Sequence, residues 1–141
     1  MNVRTTADVF GLITTVRAPL EIGQQWEALA QAADVLLPMV YPSHYPHGAF
    51  GITRPNAAPY EIVKAAVTRA VERNVALGIR GEHVRPWLQA FSLGKPAYGN
   101  AELTAQLRAV SESGVHGWVM WNPASRYEVF REALKADALR R

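Results

Sequence analysis

Short, wholly apolar runs alternate with helically spaced apolar positions along this chain. Val9–Thr15 (VFGLITT) is rich in β-branched and apolar residues, which predicts a buried strand. From Ile22 to Ala33 the apolar positions are Ile22, Trp26, Leu29 and Ala33, the spacing of a helix with one buried face. Val35–Tyr41 (VLLPMVY) is almost wholly apolar, as in a parallel strand covered on both faces. Pro38 lies inside it and lacks a ladder donor, which predicts a bulge or an edge irregularity there. Residues 42–59 form a proline- and glycine-rich loop with two histidines, and a loop of this length in a compact domain is usually either functional or disordered. Tyr60–Asn74 is the clearest helix, with apolar residues at Ile62, Val63, Ala66, Val67, Ala70 and Val71, and Pro59 suits its first turn. Residues 75–84 fit either a short strand or a connector.

Arg85–Phe91 predicts a third strand. Asn100 is a candidate N-cap for a helix over Ala101–Ser113 that Gly114 closes. Gly117–Trp121 predicts a fourth strand, stopped by Asn122 and Pro123. Ser125, with Glu128 three residues on, predicts a capping box for a last helix over Arg126–Leu139. The order β-α-β-α-β-α-β-α predicts an α/β fold with a parallel sheet and covering helices. A complete (β/α)8 barrel has eight such units in about 250 residues. Four units in 141 residues read as one domain over 1–141, either half of a TIM (β/α)8 barrel or a small open sheet.

Composition narrows the chemistry. Without cysteine there are no disulfides, thiolate metal sites or cysteine nucleophiles. The formal charge of +3 comes from scattered basic residues, with only Arg140 and Arg141 adjacent at the end, so no footprint for nucleic acid emerges. No run approaches the roughly 20 apolar residues of a membrane span. The first fifteen residues lack a hydrophobic signal core and a cleavage site, so the chain as written reads as cytoplasmic, although a longer parent could be exported.

Candidate site residues cluster where strands are expected to end, the face that carries chemistry in parallel α/β barrels. Tyr41, His44 and Tyr45 lie at or just past the second strand and could form a wall of a saccharide pocket; alternatively Tyr41 is core and His44 orders the loop. Trp87 and Gln89 are two apart and share one side of their strand, either lining the pocket or filling a barrel core. Trp118 and Met120 share one side of the fourth strand and Val119 and Trp121 the other, so one tryptophan must pack under helices. Trp121 and Asn122, nearest the carboxyl end, are the pocket candidates. Trp26 reads as core. Aromatic faces beside amides and hydroxyls suit a sugar ring. His44 and His47 lack acidic neighbours, so no metal site is expected. No GxSxG elbow accompanies Ser43. No cofactor is implied.

The strings ADVFGLITT (7–15), IGQQWE (22–27), PMVYPSHY (38–45), PNAAPYEIV (55–63), RPWLQAF (85–91) and GWVMWNPASRY (117–127) resemble, in order, the carboxyl-terminal half of the Putative glycosyl hydrolase domain family, a TIM-barrel-like family. The resemblance implies that the four units are barrel strands five to eight, and that the ligand is a carbohydrate. It implies hydrolysis of O-glycosidic bonds in an oligo- or polysaccharide, or alternatively a non-catalytic carbohydrate-binding or structural remnant. The family pattern has aspartate after RPWLQ, where this chain has Ala90. Glycosidases use two carboxyl groups, yet none of the expected strand ends supplies one. Asp8 and Asp34 are expected at strand starts, on the wrong face, leaving Glu21 as the acid nearest a carboxyl end. A half-barrel also exposes two edge strands and an apolar inner face. The expected remedies are a homodimer, the other barrel half supplied in trans, or a chain that is a truncated product.

Overall fold

The computed structural model describes residues 3–139; the Arg140–Arg141 pair lies outside the described residues. Four parallel strands, β1 (Thr6–Phe10), β2 (Val35–Val40), β3 (Trp87–Gln89) and β4 (Val119–Trp121), form one sheet in the order β1-β2-β3-β4. Helices α1 (Trp26–Ala32), α2 (Pro59–Ala76), α3 (Asn100–Glu112) and α4 (Arg131–Ala138) follow the strands in turn. Sequential parallel neighbours joined by helices are the repeating unit of a (β/α)8 barrel, and four of them make half of one.

The alternation of the strands divides the sheet into two faces. Val9, Leu36, Val40 and Leu88 point to the helices and are buried. They meet Ile62, Val63, Ala66, Val67 and Ala70 of α2 and Leu103, Leu107 and Val110 of α3 in one core. Trp26 is fully buried, and its indole N–H donates to Asn74 Oδ1 at 2.9 Å, tying α1 to α2. Arg73 of α2 forks onto both carboxylate oxygens of Glu27 at 2.8 and 2.6 Å and also donates to the Ile13 and Val16 carbonyls.

Several sequence expectations shift. The first strand is Thr6–Phe10, not Val9–Thr15, and Gly11–Thr14 turns into a 3-10 segment. Gly11 permits that turn: a Cβ there would stand 2.4 Å from the Met39 carbonyl oxygen and 2.8 Å from the Tyr45 hydroxyl. Pro38 makes no bulge, because β1 pairs with β2 in unbroken register through Val9 and Pro38. The Leu36 N–H and C=O both face the third strand, bonding His83 and Arg85, so two residues on the missing donor of Pro38 also falls on that side. The β2–β3 ladder is interrupted there, between the Leu36–Val84 bridge and the Met39–Trp87 pair, and β3 is correspondingly shorter than Arg85–Phe91.

The predicted caps also change. Asn100 is the first residue of α3, not its cap; its Oδ1 accepts the Ala133 N–H at 2.9 Å and so ties α4 to α3. Glu102 accepts the Gly99 N–H at 2.9 Å. Ser125 has a left-handed backbone and Glu128–Phe130 is a 3-10 turn, so the last helix begins at Arg131 without the expected capping box.

Candidate active site

The other face of the sheet is open. In register across it stand Thr6, Asp8 and Phe10 of β1, Val35, Leu37 and Met39 of β2, Trp87 and Gln89 of β3, and Val119 and Trp121 of β4, Gln89 being covered by the loop after β2. Phe10 and Trp121 are 46% and 44% exposed, unusual for large apolar side chains. The Trp87 and Trp121 rings stand perpendicular with their centroids 6.1 Å apart, and the Trp87 indole N–H donates to Asp8 Oδ1 at 2.7 Å.

Asp8 is the main correction to the sequence reading. Because β1 starts three residues earlier than expected, Asp8 is a mid-strand residue facing the open side, rather than a strand-start residue on the wrong face. Of the strand residues on that face it alone is acidic. Glu21 lies in an exposed turn well past the end of β1. Asp34 is at the start of β2, where the Thr5 backbone N–H and hydroxyl donate to it at 2.6 and 3.0 Å; those bonds lower its pKa from the ordinary value.

Tyr41 follows β2 and is buried at the carboxyl end of the sheet. Burial first, and then the negative charge of Asp8, push its phenol far above the usual pKa, so Tyr41 stays a neutral donor. Its ring packs edge-on against His44 at 5.3 Å and Phe91 at 5.5 Å. His44 is exposed at the rim and its Nδ1 lies 3.1 Å from Ser43 Oγ.

A cavity of about 230 Å³ opens between the ends of β1 and β2, lined by Phe10, Gly11, Leu12, Met39, Tyr41, His44 and Tyr45. Its size suits part of a sugar ring, and its walls are mainly apolar. The Tyr45 hydroxyl is buried against Gly11 with no partner at hydrogen-bonding geometry among the described residues. Thr14 stands near, but donates its own hydroxyl to the Gly11 carbonyl at 2.8 Å. Burial drives the Tyr45 pKa well upward, so this orphaned group remains protonated.

Tyr41, Trp87 and Trp121 are thus brought together with Asp8, and His44 stands at the rim. Gln89 and Asn122 are buried scaffolding. Gln89 Oε1 accepts the Ser43 N–H at 3.0 Å while its amide donates to the Phe91 carbonyl at 3.0 Å. Asn122 donates to the carbonyls of Ala90 and Arg126 and accepts the Ala124 N–H at 2.8 Å, closing the turn after β4. Ala90 is fully buried, so an aspartate at this position would meet packed protein rather than the open face. The sequence reading missed Asp8, Phe10 and Phe91. The alternation Thr6-Asp8-Phe10 was a usable signal, hidden by placing the strand on its apolar run alone.

Among the described residues, no three His, Cys, Asp or Glu side chains gather where they could hold a metal ion. No described helix is long and apolar enough to cross a membrane.

Four parallel βα units with an aromatic carboxyl end define a half-barrel of the TIM type. Residues 1–127 match the family model described as Putative glycosyl hydrolase domain, and the chain belongs to that family. No curated protein matches it. The glycoside hydrolase domain of PgaB (BpsB) from Bordetella bronchiseptica shares the fold at 19% identity and a TM-score of 0.58, over 96% of this chain and 34% of that one. The HMG-CoA lyase from Brucella melitensis does so at 15% identity and a TM-score of 0.57, over 95% of this chain and 44% of that one. Bee venom hyaluronidase aligns at 21% identity and a TM-score of 0.49, over 81% of this chain and 33% of that one. The chain therefore spans less than half the length of each of these solved structures.

Proposed function

We propose that this chain forms the carbohydrate-binding wall of a glycoside hydrolase barrel, with Asp8 as one of its two working carboxyl groups. The observation that carries this reading is the Asp8–Trp87 hydrogen bond, which fixes a carboxylate on an aromatic floor. The rings of Trp87 and Trp121 offer apolar faces for a pyranose, and Tyr41 and His44 offer donors to its hydroxyls. A carboxylate held this way opposes the positive charge that develops on the anomeric carbon in an oxocarbenium-like transition state. Hydrolysis also requires a carboxyl group to protonate the departing oxygen. On this reading that second acid comes from whatever closes the open face, either a second copy of the chain or another barrel half.

Proton flow follows from those roles. The acid of the closing half gives its proton to the leaving glycosidic oxygen as the C–O bond breaks. Water then adds to the anomeric carbon and loses its proton to a carboxylate, leaving two hydroxyl-terminated sugars. Asp8 keeps its place through the Trp87 N–H in each step.

The presence of a single acid on the open face favours one second reading, a carbohydrate-binding subunit without catalysis. The two separate in one experiment. Sedimentation equilibrium first gives the assembly state, and calorimetry with neutral and charged oligosaccharides gives binding. Reducing-end release is then measured on the wild type and Asp8→Asn. Hydrolysis that falls about a hundredfold or more in Asp8→Asn at unchanged melting temperature supports the enzyme. Binding without hydrolysis by a chain that sedimentation shows to be a closed dimer selects the binding subunit. Absence of any saccharide binding by a folded chain sinks both.

A further inference from the structure

A second cavity, of about 240 Å³, is lined by residues of the 42–57 loop and by Lys95. Tyr45 lines both. The chemistry of the second is different. Arg54, Lys95 and His47 stand around it with the hydroxyls of Ser43 and Thr53, and no carboxylate lines it. Neither Arg54 nor Lys95 makes an ion pair among the described residues, so no carboxylate offsets the charge they bring to the cavity.

The cations belong to a braced wall. Asn56 Nδ2 donates to the Leu93 and Lys95 carbonyls at 2.9 and 3.0 Å, joining the two loops that carry the charges. The Tyr98 hydroxyl donates to the Asn56 carbonyl at 3.0 Å, and buried Gln89 holds the Ser43 backbone from below. The backbones bearing Arg54 and Lys95 are therefore fixed across a cavity before any ligand arrives. Two cations facing one concavity without an acid create a local positive potential. The planar guanidinium of Arg54 can fork onto a two-oxygen anion, and the Lys95 ammonium can add a point charge.

We propose that this cavity is a subsite for an anionic substituent, a hexuronate carboxylate or a sulfate ester, on the sugar next to the one seated on the aromatic floor. The proposal rests on the carbohydrate reading of the neighbouring cavity and refines it to acidic saccharides. Sharing Tyr45 as a common wall sets the two subsites side by side, as consecutive residues of one chain require.

The test is calorimetric titration of the whole chain with three oligosaccharides of matched length: neutral, hexuronate and sulfated. Each is titrated at roughly 20 and roughly 300 mM salt, where screening differs strongly. The expected result is binding of at least one anionic oligomer about tenfold or more tighter than the neutral one at low salt. That preference should shrink at high salt and vanish in the Arg54→Gln, Lys95→Gln double variant, whose exposed sites leave folding intact by circular dichroism. Which anionic oligomer gains distinguishes carboxylate from sulfate. Equal binding of neutral and anionic oligomers overturns the subsite and leaves the carbohydrate reading standing. An anionic preference that survives the double variant also overturns it. No binding of any oligomer overturns both.

Discussion

The two faces of the same sheet follow different rules. On the helix side, Val9, Leu36, Val40 and Leu88 are apolar, almost without exposure, and interlock with α2 and α3. On the open side, Asp8, Phe10, Trp87 and Trp121 share the same strands at alternate positions, yet keep exposed apolar area and a carboxylate. The helix side satisfies its groups within the chain. The open side leaves them for something else to meet. Stability and chemistry are thus separated by one residue of register, since a shift by one would exchange the two sets.

The contrast is sharpest under truncation. Leu88→Ala removes a fully buried side chain from the helix side and should cost about 3 kcal/mol, read from urea unfolding midpoints. Trp121→Ala, a larger truncation on the open face, should cost less than half of that in the monomer. If the two costs were equal, the open face would already be a packed core and the comparison would fail.

Gly11 lies where the faces meet, at the end of β1. Gly11→Ala forces a methyl group against the Met39 carbonyl and should cost about 2 kcal/mol, seen as a lowered melting temperature. An unchanged melting temperature would mean that the β1–β2 mouth is looser than its geometry implies.

Tyr45→Phe has the opposite sign. It deletes a buried hydroxyl that has no partner, and should raise stability by up to about 1 kcal/mol in the absence of sugar. The same substitution should weaken oligosaccharide binding. Destabilisation instead would show that Thr14 is the working partner of that hydroxyl.

The smallest expected effect belongs to the Glu27–Arg73 pair behind the helix side. The Arg73 hydrogen bonds lower the Glu27 pKa in the folded state from its ordinary 4.5. A depressed folded value means that the contribution is complete above the ordinary value and is lost as pH falls through the folded one. Stability should therefore decline modestly on acidification below about pH 4.5. Glu27→Gln should flatten that part of the curve. An identical slope in the variant would assign the acid sensitivity to other carboxylates.

The sequence carried the order of elements well. Helix α2 is readable because its apolar positions follow a single 3.6-residue period, and the faces of β4 because alternation separates Trp118 from Trp121 and nearness to the carboxyl end favours Trp121 for the open side. The pairings of Trp87 with Asp8 and of Asn56 with Lys95 were not readable. Each joins residues far apart in the chain, and local period says nothing about which strands become neighbours. The displacement of β1 had a similar cause. VFGLITT has the composition of a strand, but the close approach of Gly11 to Met39, a tertiary contact, turns the chain there.

The sequence by itself determined the βα alternation, the parallel sheet, the half-barrel count and the family, because hydrophobic period and short motifs are local properties. Only the tertiary structure decided which residues make the site. It brought Asp8 onto the aromatic floor, set Gln89 and Asn122 to bracing loops, and gathered Arg54 and Lys95 around one cavity. Those outcomes depend on the register between strands and on where loops are pinned, and both are fixed by packing between distant segments.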